Sequence, residues 1–267
     1  MTLTHLLILA LIQGITEFLP ISSSGHLILL PGLTGMADQG QALDVAVHVG
    51  TLGAVVLYFW SDVKDALQGT GRMLTGKVDT PNARLALNLL IATIPVIILG
   101  LFLSVTGLSE ALRSIKVIGW TMLGFGILLY VIDQRAPETR TFEDWTLRQA
   151  VIMGLWQAIA LFPGTSRSGI TITGARQLGY DRHDGARIAM LMSIPTILAS
   201  GALLTIEVAA DANAQVARDG AIGAALAFLA ALAALAIMMP LTKKISFTPY
   251  VVYRVILGAV LLWIAYT

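Results

Sequence analysis

Two apolar segments of this chain are each interrupted by the same polar motif, and that limits what the chain can fold into. The first interruption reads Gln13-Gly14-Ile15-Thr16-Glu17-Phe18-Leu19-Pro20-Ile21-Ser22-Ser23-Ser24-Gly25-His26. An ungapped shift of 144 positions puts Gln13 on Gln157, Phe18 on Phe162, Ser22 on Ser166, Ser24 on Ser168 and Gly25 on Gly169. The second copy has Leu161 in place of the carboxylate, Ile170 in place of the imidazole, and Arg167 where the first has Ser23. Hydrophobic residues make up 56% of the chain and charged residues 12%, with a mean hydropathy of +0.80. Soluble domains carry about 25% charged residues, so the chain reads as an integral membrane protein. A charge at mid-membrane depth costs roughly 2.5 to 3.5 kcal/mol on insertion scales. Polar groups at that depth are therefore functional candidates by default.

Composition excludes several other classes. The net charge is +1 with no basic face, so nucleic acid is not a partner. There is no cysteine, hence no disulfide, thiol nucleophile or zinc–thiolate site. No Lys or Arg precedes Lys64, so the N-terminus lacks the basic region of a signal peptide.

A spanning helix needs ~20 apolar residues. The runs on either side of Pro20, within residues 3–33, are each too short, and two half-helices in a re-entrant hairpin fit them better. A second such hairpin is predicted within 149–180. Full spans are predicted over 44–60, 84–106, 115–133, 185–206, 221–241 and 250–266, with polar loops at 61–82, 134–148 and 207–219. Pro95 and Pro195 read as kinks. The expected fold is thus all-α and polytopic, with about six transmembrane helices and two re-entrant hairpins in one membrane domain, 1–267. Its halves are roughly 1–133 and 134–267.

Orientation follows from the basic residues. Twelve of the seventeen Lys and Arg fall near 61–84, 134–148, 173–187 and 242–249, on one side. The other side holds three, Arg113, Lys116 and Arg218, while Arg167 and Arg254 stay unassigned. Cytoplasmic loops carry the Lys and Arg excess, so both termini are expected outside. The first hairpin then enters from outside and the second from the cytoplasm, which makes the repeats inverted. Such architectures place a ligand near the midplane, between the repeats.

The motif residues suggest which ligand. Gln13 and Glu17 are four apart and share one helix face. Ser22, Ser23, Ser24 and Gly25 lead into a helix whose free N–H groups favour an anion. Ser166, Ser168 and Gly169 do the same in the second copy, and the Arg167 guanidinium suits phosphate oxygens. Glu17 either binds a hard divalent cation, Mg2+ or Ca2+, or acts as a base. His26 can transfer protons near neutral pH, and a serine within reach of such a base can be a nucleophile. The set suits phosphoryl transfer on a phosphate or diphosphate. Blander roles exist for each residue alone: a helix cap for the serines, an interhelical hydrogen bond for Gln13, a snorkelling cation for Arg167. Asp44 and His48 read as structural or lining residues, and His5 and His183 as surface residues.

At these residues the sequence resembles the bacitracin-resistance family of undecaprenyl-diphosphate phosphatases. The resemblance rests on Gln13-x-x-x-Glu17-Phe-Leu-Pro-Ile-Ser-Ser-Ser-Gly25-His26 and Pro163-Gly-Thr-Ser-Arg-Ser-Gly-Ile-Thr-Ile172, with support from Asp44-Val-Ala-Val-His-Val-Gly-Thr51, and covers essentially the whole chain. It implies a divalent-cation-dependent enzyme of the bacterial cytoplasmic membrane, with its site open to the outer face. Its substrate would be a polyprenyl diphosphate lipid, cut to the monophosphate carrier of cell-wall synthesis. Carried over, Glu17 resembles the metal-associated carboxylate, Ser23 the nucleophile or a phosphate contact, His26 the proton-transfer partner and Arg167 the diphosphate clamp. Ser166, Ser168 and Thr171 resemble further phosphate contacts. The family pattern allows Glu or Gln at Gln13. An amide there is neither a strong ligand nor a base, so the weight moves onto Glu17. On architecture alone, a transporter or flippase for a phosphorylated polyprenyl lipid is the competing reading, and a purely structural membrane protein a weaker one. The Ala- and Gly-rich spans would permit a homodimer.

Overall fold

The computed structural model describes residues 2–35, 40–208 and 214–267. These residues form helices α1 Leu3–Thr16, α2 Ser23–Thr34, α3 Gln41–Tyr58, α4 Trp60–Met73, α5 Pro81–Val105 and α6 Leu108–Ala111. Helices α7 Ile115–Arg135, α8 Leu147–Ala158, α9 Arg167–Gln177, α10 Arg182–Val208, α11 Ala214–Leu241 and α12 Thr248–Tyr266 follow. Six of them are long and apolar enough to cross a membrane: α3, α5, α7, α10, α11 and α12. They match the predicted spans to within a few residues at most ends. Pro95 and Pro195 both lie inside helices.

The two interrupted segments are two short helices each. α1 has 14 residues and α2 has 12; α8 has 12 and α9 has 11. At 1.5 Å per residue each reaches about 16 to 21 Å, short of the ~30 Å hydrocarbon core. Local chemistry sets their starts. The Thr2 side chain accepts from the His5 amide, and Thr146 and Gln149 form a reciprocal capping box at α8. Their C-terminal ends run into Leu19-Pro20 and Phe162-Pro163-Gly164, where proline cannot donate a helical hydrogen bond.

Small residues bring the helices together. A Cβ at Gly50 of α3 would stand 2.1 Å from the Ala224 carbonyl oxygen of α11. One at Gly14 would stand 2.5 Å from Ala230, and one at Gly154 2.7 Å from the Ala92 carbonyl. Short helix α1 thus presses on α11 and short helix α8 on α5. Without a hydrophobic force between helices in lipid, this close approach supplies much of the attraction. Between them lies one large core of buried side chains that includes Phe18, Leu129, Met153, Ile172, Leu235 and Met239.

Two expectations are corrected. Residues 61–82 are not simply a polar loop: most of α4 lies there, with Asp62, Val63 and Gly69 buried. Asp62 receives Arg187 of α10 through Nε at 3.0 Å and Nη2 at 2.5 Å. Arg187 also sits 3.9 Å over the Phe142 ring. A search for long apolar runs passes over such an amphipathic helix, because only one of its faces is buried. Of the loop predicted at 207–219, residues 214–219 belong to α11 and 209–213 lie outside the described residues. Histidine placement also differs: His5 is buried rather than on the surface, and His183 lies partly buried against Met239 and Thr242.

One end of the bundle is fastened by charge. Asp133, at the end of α7, accepts from Arg176 Nε at 3.0 Å and Arg182 Nε at 2.8 Å. Its other oxygen accepts from the Phe247 amide at 3.2 Å. Arg176 spends further donors on the carbonyls of Asp133, Ala136, Pro137 and Tyr180. This anchors the C-terminal end of α9, the helix whose first residue is Arg167.

Candidate active site

Both polar loops carry the same backbone signature. Ser22 has φ 74° and Ser166 has φ 71°, and these are the only non-glycine residues with positive φ among those described. Such a conformation costs on the order of 1–3 kcal/mol and persists only where the surroundings enforce it. Each serine then caps the following helix. Ser22 Oγ accepts from the Gly25 amide at 3.4 Å, and Ser166 Oγ accepts from the Gly169 amide at 3.1 Å. Each hydroxyl also meets that of a second serine: Ser22 to Ser24 at 3.4 Å, Ser166 to Ser168 at 3.1 Å. The reversal at each Ser presents Ser23 and Arg167 as the first residues of α2 and α9.

The loops are joined to each other. Ser168 Oγ donates to the Leu19 carbonyl at 2.9 Å. Arg254, fully buried within α12, bridges them from behind. Its Nη2 donates to the carbonyls of Thr165 at 2.8 Å and Gly164 at 3.1 Å, and its Nη1 reaches that of Pro20 at 3.4 Å. Thr121 of α7 adds a 2.5 Å hydrogen bond to the Pro163 carbonyl.

Glu17 stands where the loops meet. Its carboxylate is buried, yet all its near neighbours stabilise negative charge. Arg167 Nη2 donates to Oε1 at 2.7 Å across 150 residues of sequence. Ser23 Oγ donates to Oε2 at 2.6 Å, and Gln13 Nε2 donates to the same oxygen at 2.9 Å. His48 Nε2 lies 3.7 Å from Oε2. Two polar atoms around this cluster remain informative: the donor Arg167 Nη1 is buried with no partner, and so is the acceptor Gln13 Oε1. The predicted quartet is therefore only partly assembled. Glu17, Ser23, Arg167 and Gln13 converge. His26 does not bond to them: its Nδ1 meets the Ser22 carbonyl at 2.6 Å and its Nε2 the Tyr253 hydroxyl at 2.5 Å. The carbonyl requires Nδ1 to carry a proton, so a neutral ring accepts at Nε2 from the tyrosine, whose ring it stacks against at 5.6 Å.

The other candidates fall into two groups. Ser24 is exposed and Gly25 buried at the mouth of the first loop. Ser166, Ser168, Gly169 and Thr171 are buried. The Thr171 hydroxyl donates back to the Arg167 carbonyl at 2.6 Å, and that of Ser168 is used on Leu19. Among the described residues, no three His, Asp or Glu side chains gather as a metal cluster. The donors that do fit a cation are the Glu17 carboxylate and the orphaned Gln13 Oε1, both oxygen ligands of the type hard divalent ions prefer.

Sequence reasoning missed Arg254, Tyr253 and the proximity of His48. Arg254 carried a readable signal, since a lone arginine in an apolar span is costly unless it has partners. Tyr253 and His48 carried none, because their partners are 227 and 31 residues away in sequence.

The comparisons with known proteins agree with the motif resemblance. A 266-residue alignment pairs the chain at 70% identity with an undecaprenyl-diphosphatase of Jannaschia sp., covering all of both chains. An undecaprenyl-diphosphatase of Ruegeria pomeroyi is 67% identical, again over the full length of both. A more distant one from Maricaulis maris is 47% identical over 98% of each chain. The family described as bacitracin resistance protein BacA matches residues 6–260, and this chain belongs to that family.

Proposed function

We propose that the chain hydrolyses undecaprenyl diphosphate to undecaprenyl phosphate and inorganic phosphate at the Glu17–Ser23–Arg167 cluster. The observation that carries this reading is the 2.6 Å hydrogen bond from Ser23 Oγ to a carboxylate that the opposite loop's arginine grips at 2.7 Å. A hydroxyl, a base and a phosphate-binding cation within one contact shell are what phosphoryl transfer needs. A carrier would need only the binding groups.

Residue roles follow from the contacts. Glu17 accepts the Ser23 proton as Ser23 Oγ bonds to the terminal phosphorus. The bond from that phosphorus to the bridging oxygen breaks, and undecaprenyl phosphate departs. Water then attacks the phosphoserine, giving up a proton to restore the serine and release phosphate. Arg167 presents its free Nη1 to a phosphate oxygen, beside the first-turn amides of α2 and α9. Ser22, Ser166, Ser168 and Thr171 shape the loops, with hydroxyls committed to the protein. His26, held by Tyr253 and Ser22, is placed to exchange protons with solvent at the loop mouth. A divalent cation held by Glu17 and Gln13 would neutralise diphosphate charge.

The placement in the membrane belongs to the same proposal. The two broken segments are re-entrant hairpins of an inverted repeat, with halves 1–133 and 134–267. Contact pairs support the symmetry: α1 lies on α11 as α8 lies on α5. The basic loops face the cytoplasm, both termini face outward, and the protein sits in the bacterial cytoplasmic membrane as a monomer or homodimer. The lipid tail stays in the bilayer while its head enters between spans. The deciding experiment is phosphate release from undecaprenyl diphosphate by purified protein, with and without chelator. Release that stops in Glu17→Gln supports the reading; a folded, lipid-binding wild type that releases none refutes it.

A further inference from the structure

We propose that His48 is a ligand of the divalent cation, and that its imidazole shifts the site from Mg2+ or Ca2+ towards a borderline ion such as Mn2+. The inference rests on the reading of Glu17 as the cation-holding carboxylate and adds a residue to it. His48 lies on α3, one turn after Asp44. Its Nδ1 is 2.7 Å from the Asp44 backbone carbonyl, which can only accept, so Nδ1 carries a proton. The other ring nitrogen, Nε2, lies 3.7 Å from Glu17 Oε2. The distance exceeds a hydrogen bond. Two bonds of about 2.1 Å each from one ion would span that gap.

Three further observations point the same way. A histidine that ligates a metal characteristically donates its other ring N–H to a carbonyl or carboxylate, and Asp44 supplies that carbonyl here. Gln13 bonds the same carboxylate through Nε2, and its Oε1 is buried as an acceptor lacking any donor. Ser23 Oγ, bonded to the same Oε2, offers a hydroxyl oxygen. The donor set is one nitrogen and three oxygens, with the His48 side chain 36% exposed so that water can complete the shell. Mg2+ and Ca2+ take oxygen ligands almost exclusively, whereas imidazole favours transition ions.

The test uses Mn2+ as the probe on purified full-length protein in detergent. Pulsed electron paramagnetic resonance should show 14N modulation on bound Mn2+. Labelling histidine with 15N should replace it with the 15N signature, a readout that needs no variant. In His48→Gln the modulation should vanish and Mn2+ affinity should fall at least about 10-fold. Bound Mn2+ without nitrogen coupling, coupling that survives in His48→Gln, or no Mn2+ binding would each overturn the proposal. A ring protonated at both nitrogens, paired at long range with Glu17, gives the first of those results. Phosphate release measured on the same sample separates the two readings. Coupling without release upholds the ligand and refutes the phosphatase; release without coupling does the reverse.

Discussion

Replacing Arg254 by methionine should abolish turnover while leaving the protein folded. Methionine keeps an unbranched apolar stem but not the donors. Two of its contacts are short, to Thr165 at 2.8 Å and Gly164 at 3.1 Å; the one to Pro20, at 3.4 Å, is marginal. Charged hydrogen bonds contribute about 1.5–3 kcal/mol each, so the short pair amounts to about 3–6 kcal/mol. Against this, Arg254 is fully buried and no carboxylate is among its hydrogen-bond partners, so the variant also removes a desolvation penalty of several kcal/mol. The net change in stability should therefore be small, about 0–3 kcal/mol. Activity should respond differently. Thr165 lies two residues before Arg167, and a displacement of ~1 Å at a reacting group can cost about 100-fold in rate. The assay is phosphate release at saturating lipid, paired with a thermal melt in the same detergent. A variant with activity within about threefold of wild type would refute the claim that Arg254 sets the loop geometry. So would a melt that collapses in proportion to the activity.

Other outcomes can be stated briefly. Glu17→Gln removes the base from Ser23, and kcat should fall by roughly 10²–10⁴-fold; normal turnover would remove Glu17 from the mechanism. Asp133→Asn leaves Arg176, itself 1% exposed, with only the 3.4 Å pairing to the exposed Glu138, and should destabilise the bundle by about 3–5 kcal/mol. An unchanged melt would show that the Arg176 carbonyl contacts suffice. Gly50→Val forces a Cβ into the Ala224 carbonyl and should lower the yield of monodisperse protein sharply; wild-type yield would mean that α3 and α11 can separate at no cost. The chain lacks cysteine, so single substitutions report topology cleanly. Arg113→Cys should react with an impermeant maleimide on intact cells and Lys77→Cys should not, and the opposite pattern would reverse the proposed orientation.

Much of this protein was written in its local sequence. The six spans needed only apolar length, because lipid leaves helices as the way to satisfy the backbone. The two short-helix pairs needed only proline and serine at the wrong depth for a span. Glu17 and Arg167 were legible because charge in an apolar segment is expensive and so rarely accidental. α4 was not legible as a helix, since its buried face appears only once α5 and α10 stand beside it.

The tertiary structure decided which polar groups meet. Nothing in the sequence could say that Arg167 reaches Glu17 and His26 does not, because that choice is made by the loop packing. Ser168, Arg254 and Thr121 hold together two loops 144 residues apart, through backbone carbonyls that carry no sequence signature. Ser22 and Ser166 show the same division. Their identity was readable, but their left-handed backbone exists only because the surrounding helices enforce it. The sequence determined which groups are available at membrane depth; the fold determined their partners, since a hydrogen bond depends on a few tenths of an ångström that only packing sets.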